Sequence, residues 1–244
     1  MCGRYELHAQ PAAIALAFGL RDMPAVAPRY NIAPMTDVPV VRVNADGERE
    51  LVMLRWGLVP RAAKDPAIGS KIINARGETV AERASFRMPY RRHRCLLPAS
   101  GFYEWLTLAR DHQVRKQPLH IGMKDGALFG LAGLYERWLG ADGEVLDTCT
   151  ILTTPANALL RSLHDRMPVI IPPEDYARWL DPHNAEVGDL IAAFPTERMT
   201  CHPVSMRVNA TRNDGPDLIE PVAAELETEE PEPATHVPEQ ESLF

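Results

Sequence analysis

Five short apolar runs, at 94–98, 101–105, 118–123, 128–135 and 147–153, follow one another with turn-rich segments between them and no repeated crossover helices. Parallel strands joined in sequence need such crossovers, so the chain has to pair its strands mainly antiparallel. Upstream, VPVVRV at 38–43 and ELVMLRW at 50–56 flank Asn44 to Gly47 as a β-hairpin, and QPAAIALAF at 10–18 reads as a short amphipathic helix. Helical patterns return at 156–163 (ANALLRSL), 173–180 and 185–193, with Pro172 and Pro173 placed for a helix start. The expected fold is α+β, with a mostly antiparallel, barrel-like β core and peripheral helices.

A chain of 244 residues with 45% hydrophobic side chains can bury one sizeable core, and a single domain over residues 1–215 is expected. Beyond that point Glu, Pro, Ala and Thr dominate, too few apolar groups to offset the entropy of ordering, so 216–244 reads as a disordered acidic tail. The tail hides the charge of the rest. Asp217 to Phe244 holds nine acidic residues and no Lys or Arg, and without them the formal charge rises from −7 to +2. A mildly basic body is compatible with a nucleic-acid partner.

No apolar run reaches the roughly 18 residues a membrane span needs, and Arg4 and Glu6 near the start do not fit a secretory signal, so a soluble, cytoplasmic protein is expected. The four cysteines, Cys2, Cys95, Cys149 and Cys201, form no CxxC pair, the histidines show no HxH or HExxH spacing, and no glycine-rich phosphate loop occurs. Neither a metal nor an organic cofactor is expected. Cys95, Cys149 and Cys201 read as inert thiols.

Cys2 differs. A small second residue permits removal of Met1, which would leave a 1,2-aminothiol whose amine and thiol have ordinary pKa values near about 8 and 8.5. Such a pair condenses with aldehydes: the amine forms a Schiff base and the thiol closes a thiazolidine ring.

Around it stand seven motifs in order: MCGRY at 1–5, YNIAP at 30–34, WGLVP at 56–60, INARGET at 73–79, CLLPASGFYEW at 95–105, TTPAN at 153–157 and HDRMPVII at 164–171. Together they resemble the SOS-response-associated-peptidase (SRAP) family of abasic-site processing proteins. The resemblance implies that Cys2 is the covalent nucleophile and that Asn74 holds the amino-terminal residue. It implies that Glu104 binds the α-amine and shuttles protons, and that His164 assists opening of the deoxyribose ring. Local sequence leaves other readings open: a turn asparagine at 74, a surface glutamate at 104 and a capping histidine at 164. Strand alternation puts Glu104 on the side of Phe102 and opposite Tyr103 and Trp105.

For DNA contact the candidates are Arg4, Arg76 and Arg166, with Lys71, Arg83, Arg87, Arg91, Arg92 and Arg94 as a wider basic set. Trp56, Trp105 and Tyr103 could stack on bases or simply be core. The tail ends in Gln240-Glu241-Ser242-Leu243-Phe244, similar to the short peptides that dock on a replication sliding clamp, with Gln240, Leu243 and Phe244 as anchors.

The expected activity is a thiazolidine crosslink to an abasic site in single-stranded DNA, in a monomer that associates with the nucleoid during replication and the SOS response. A thiol autopeptidase that removes Met1 is a compatible second activity. A non-covalent binder of damaged DNA is the alternative from another class.

Overall fold

The hairpin that opens the core forms where the apolar alternation begins. In the computed structural model, which describes residues 2–110 and 113–223, the elements in chain order are β1 (Tyr5–Leu7), α1 (Pro11–Phe18), β2 (Arg29–Ile32), β3 (Asp37–Val43) and β4 (Arg49–Trp56). Next come β5 (Asn74–Arg76), α2 (Ala84–Arg92), β6 (Arg94–Ala99), β7 (Gly101–Arg110), β8 (Gln113–Met123), β9 (Phe129–Leu139) and β10 (Val145–Pro155). The chain continues through β11 (Arg166–Pro168), β12 (Ile170–Ile171), α3 (Tyr176–Leu180) and β13 (Met199–Pro203).

Strands β4, β3, β6, β9 and β10 close into a five-stranded barrel, because β10 pairs with both β9 and β4. The β10–β4 join is parallel, with Cys149 opposite Trp56; the other barrel joins are antiparallel. A second sheet, ordered β13-β8-β7-β1-β2, is antiparallel throughout. The main core contains Cys2, Tyr5, Val40, Trp56, Cys95, Leu97, Leu131, Cys149 and Ile151, all fully buried. A smaller cluster, Tyr103, Val204, Val208 and Leu218, covers the other face of the second sheet.

Two predicted helices are absent. Residues 158–163 form turns: the Asn157 side chain caps the segment by accepting from Leu160 N, but the only i→i−4 bonds that follow are Arg161 N to Asn157 O and His164 N to Leu160 O, before the chain enters β11 at Arg166. Of 185–193 only a 3₁₀ turn, Gly188–Leu190, is regular. In turn, α2 has no helical apolar stripe to betray it: three of its nine residues are arginine, it carries Pro89, and it buries only Phe86 and Pro89.

The packed chain also runs past residue 215, since Leu218 is fully buried and Pro221 bridges to Val204. The clamp-like residues Gln240, Leu243 and Phe244 lie outside the described residues. No described helix is long and apolar enough to cross a membrane.

Near the site, Gly57 has φ 140, a region that side chains rarely adopt. A Cβ there would stand 2.8 Å from the carbonyl oxygen of Gly69, so the backbone segments after Trp56 and before Asn74 pass in direct contact.

Candidate active site

Cys2 has no exposed surface. Its carbonyl oxygen accepts a hydrogen bond from Asn74 Nδ2 at 2.9 Å, and Asn74 itself is fixed by parallel pairing of β5 with β10, opposite Ile151. A side-chain amide can donate to a backbone carbonyl from a strand, and holding the amino-terminal residue is the task the family resemblance implies for Asn74. Burial pushes the Cys2 thiol far above its ordinary pKa and the Glu104 charge pushes the same way, while the Arg4 backbone amide acts against them. The thiol is therefore protonated at neutral pH.

Glu104 is 4% exposed. Burial raises its pKa, and the negative charge of Asp165 adds to the rise. The register of β1 and β7 sets Tyr5 opposite Phe102, so Glu104 shares the face of Phe102 and Tyr5, as alternation predicted. Tyr103 and Trp105 point to the opposite face.

Asp165 links this group to His164. His164 Nδ1 lies 2.7 Å from Asp165 Oδ1 and accepts a hydrogen bond from the Arg166 backbone amide at 2.9 Å. Burial lowers the His164 pKa, which leaves the imidazole neutral near pH 7. The charge of Glu104 thus acts on Cys2, that of Asp165 acts on Glu104, and Asp165 contacts His164.

The five DNA-contact candidates fare unequally. Trp56 is wholly buried, stacks edge-on against Tyr5 at 5.5 Å and donates its indole N–H to Ile73 O, so it is core and offers no face to a base. Trp105 retains surface, yet its N–H goes to Asn209 Oδ1 at 2.7 Å and the Arg4 guanidinium lies 5.9 Å from its ring. Arg4 donates to Asn31 Oδ1 at 2.6 Å and Val208 O at 2.7 Å, which ties it to the carboxy-terminal segment on the face opposite Glu104. Arg166 is 9% exposed and forms a two-pronged ion pair with Glu78. Arg76 is exposed on β5, two residues from Asn74.

In the wider set Lys71, Arg83, Arg87, Arg91 and Arg92 are exposed, and α2 carries Arg87 and Arg91 one turn apart, with Arg83 at its start. Arg94 is the correction. It is 3% exposed, and its guanidinium donates to the carbonyls of Tyr90, Arg91, Trp179, Asp181 and Asn184, with nothing left for a phosphate.

The sequence also gave no hint of Glu78 as the partner of Arg166, nor of a second polar cluster. There Glu6, fully buried, contacts His8 Nδ1 at 2.6 Å through Oε2 and His120 Nε2 at 3.2 Å through Oε1. The three residues lie 2 and 112 positions apart along the chain, so only strand pairing reveals them.

A closed β-barrel that buries the second-residue cysteine and holds its carbonyl through an asparagine marks out a class of proteins built on this fold. The profile of the SOS response associated peptidase (SRAP) family matches residues 1–211. The chain belongs to that family. It is 40% identical over 226 residues to the abasic site processing protein YoqW of Bacillus subtilis, covering 90% of this chain and 99% of that one. To the abasic site processing protein HMCES of Xenopus tropicalis it is 31% identical, covering 79% of this chain and 65% of that one. A crystal structure of a Bacteroides thetaiotaomicron protein superposes with a TM-score of 0.79 at 26% identity, covering 91% of this chain and all of the other.

Proposed function

We propose that this chain processes abasic sites in single-stranded DNA by capturing them covalently at Cys2. The observation that carries the reading is the grip on Cys2: its carbonyl is held by Asn74, and the charge of the buried Glu104 acts on its thiol. The names of YoqW and HMCES support the substrate.

The protonation states set an order of events. A thiol held protonated by burial is a poor first nucleophile, so the α-amine freed by loss of Met1 attacks the ring-opened aldehyde. The carbinolamine loses water to give the imine, with Glu104 moving the proton from nitrogen to the departing oxygen. The thiol then adds across the C=N bond, its proton passing through Glu104 to the ring nitrogen. The net reaction joins protein and DNA with loss of one water. His164, neutral and carrying a proton on one ring nitrogen, exchanges a proton with the sugar as its ring opens.

Arg76, Arg83 just before α2, and the exposed α2 residues Arg87 and Arg91 serve as phosphate contacts. A non-covalent stacking mode is disfavoured by the burial of Trp56. Removal of Met1 precedes capture and is the one peptide cleavage assigned to this site. The test is denaturing electrophoresis of the protein with single strands bearing either an abasic site or its tetrahydrofuran analogue, which has no aldehyde. A band of slower mobility with the abasic strand alone is expected, and equal retention of both strands refutes covalent capture.

A further inference from the structure

His164 Nδ1 faces two neighbours that ask for opposite protonation. The Arg166 backbone N–H, 2.9 Å away, donates to it and needs a lone pair there. Asp165 Oδ1, 2.7 Å away, needs an N–H there. A neutral imidazole satisfies one of them, and the choice sets which nitrogen is left for chemistry.

The two competitors are held very differently. The Asp165 side chain is 81% exposed, so water screens its pull. Arg166 is anchored. Its guanidinium forms a two-pronged pair with Glu78, with Nη2 at 2.8 Å from Oε2, and Nη2 also donates to Thr153 O at 2.6 Å and approaches Thr153 Oγ1 at 3.2 Å. Its backbone is paired in β11 opposite Pro155. Glu78 sits in the 3₁₀ turn Gly77–Thr79 that follows β5 directly, so it is rooted in the same segment as Asn74. That turn is held close: a Cβ at Gly77 would collide with Ile191 Cγ2 and lie 3.3 Å from Thr153 O, the carbonyl that Arg166 uses.

We propose that the Arg166–Glu78 ion pair is a positioning pair for His164. It presses the Arg166 amide against Nδ1 and so keeps the imidazole proton on Nε2, while tying the His164 turn to the Asn74 strand. Neither Arg166 nor Glu78 touches the reacting atoms in this assignment. The inference rests on the reading that His164 exchanges a proton with the sugar, but its first readout does not.

The test uses the full-length protein with Glu78→Ala and Glu78→Asp. Imidazole ¹⁵N shifts report the tautomer directly. Wild type is expected to show His164 protonated on Nε2, Glu78→Ala a mixture of tautomers, and Glu78→Asp a return toward wild type. The maximal crosslinking rate of Glu78→Ala is expected to fall on the order of 100-fold, as for a misplaced reacting group, with the DNA concentration at half-saturation unchanged. An unchanged tautomer in Glu78→Ala overturns the proposal whatever the rate does. Loss of DNA binding at unchanged maximal rate overturns it too, since Arg166 would then be a phosphate contact. A shifted tautomer with an unaltered rate upholds the positioning pair and refutes the role of His164 at the sugar.

Discussion

Arg94→Lys should destabilise the fold without altering DNA binding. The side chain is 3% exposed, and its five N–H groups meet five backbone carbonyls: Trp179 from Nε at 2.6 Å, Tyr90 and Arg91 from Nη1 at 2.6 and 3.3 Å, and Asp181 and Asn184 from Nη2, the latter at 2.8 Å. It thereby clasps the end of α2, the end of α3 and the loop after α3 onto β6, and its guanidinium stacks over Trp179 at 5.7 Å. Lysine keeps the charge but has three donors, so at least two carbonyls lose their partner. At about 1.5 kcal/mol for each bond to a charged donor, the loss is about 3 kcal/mol. For a domain of this size that is a fall of roughly 6–12 °C in midpoint temperature. Urea unfolding followed by tryptophan fluorescence gives the free energy, and the salt dependence of binding to a single strand gives the phosphate count. A stability within 0.5 kcal/mol of wild type, roughly the scatter of surface substitutions, would refute the clasp. In Arg94→Met, which removes the charge, the salt slope should stay unchanged; a shallower slope, which a lost phosphate contact predicts, would also refute it.

Because burial raises Glu104, the crosslinking rate should climb with pH through a range above that of ordinary carboxylates, as Glu104 becomes able to accept a proton. In Glu104→Gln that limb should vanish and the rate drop; initial rates between about pH 4.5 and 8 decide it, and a persisting limb assigns it to another group. The Glu6 cluster makes a separate prediction about stability. Burial alone would raise Glu6, but hydrogen bonds from His120 and His8 outweigh it and hold the carboxyl below its usual range, while the bond to Glu6 raises His8. The Glu6 contribution is present above the ordinary carboxylate pKa and lost as pH falls through its depressed folded value. That of His8 is present below about 6.5 and lost as pH rises through its elevated folded value. Stability should therefore decline as pH rises from about 6 to 8, and Glu6→Gln should flatten that decline in thermal melts. An identical decline in the variant would remove the cluster as its source.

Much of the fold was legible because short apolar runs are set apart by turn-rich segments. The β3–β4 hairpin and the β6 to β10 strands come from that signal, and alternation within β7 gives the side on which Glu104 lies. What escaped depended on partners far along the chain. Arg94 reads as one more basic residue beside Arg91 and Arg92, and only the return of 179–184 over α2 turns it inward. Trp56 could not be divided between core and base-stacking until its neighbour Tyr5 and its acceptor Ile73 were in place. Residues 156–163 carry a helical apolar spacing and an asparagine cap, but the chain must join the antiparallel β11 at Arg166, and only isolated turns fit in the link. The site was legible as a set of motifs, and the pairing of Arg166 with Glu78 was not, because a charge 88 positions away has no signature in sequence.

Covalent capture through the amino-terminal cysteine is tested most directly by intact mass spectrometry of the purified protein before and after mixing with an abasic single strand. Wild type should lack the Met1 mass and gain one strand per chain less one water, and Cys2→Ala should gain nothing. A retained Met1 with full adduct formation, or an adduct of equal yield in Cys2→Ala, would contradict it.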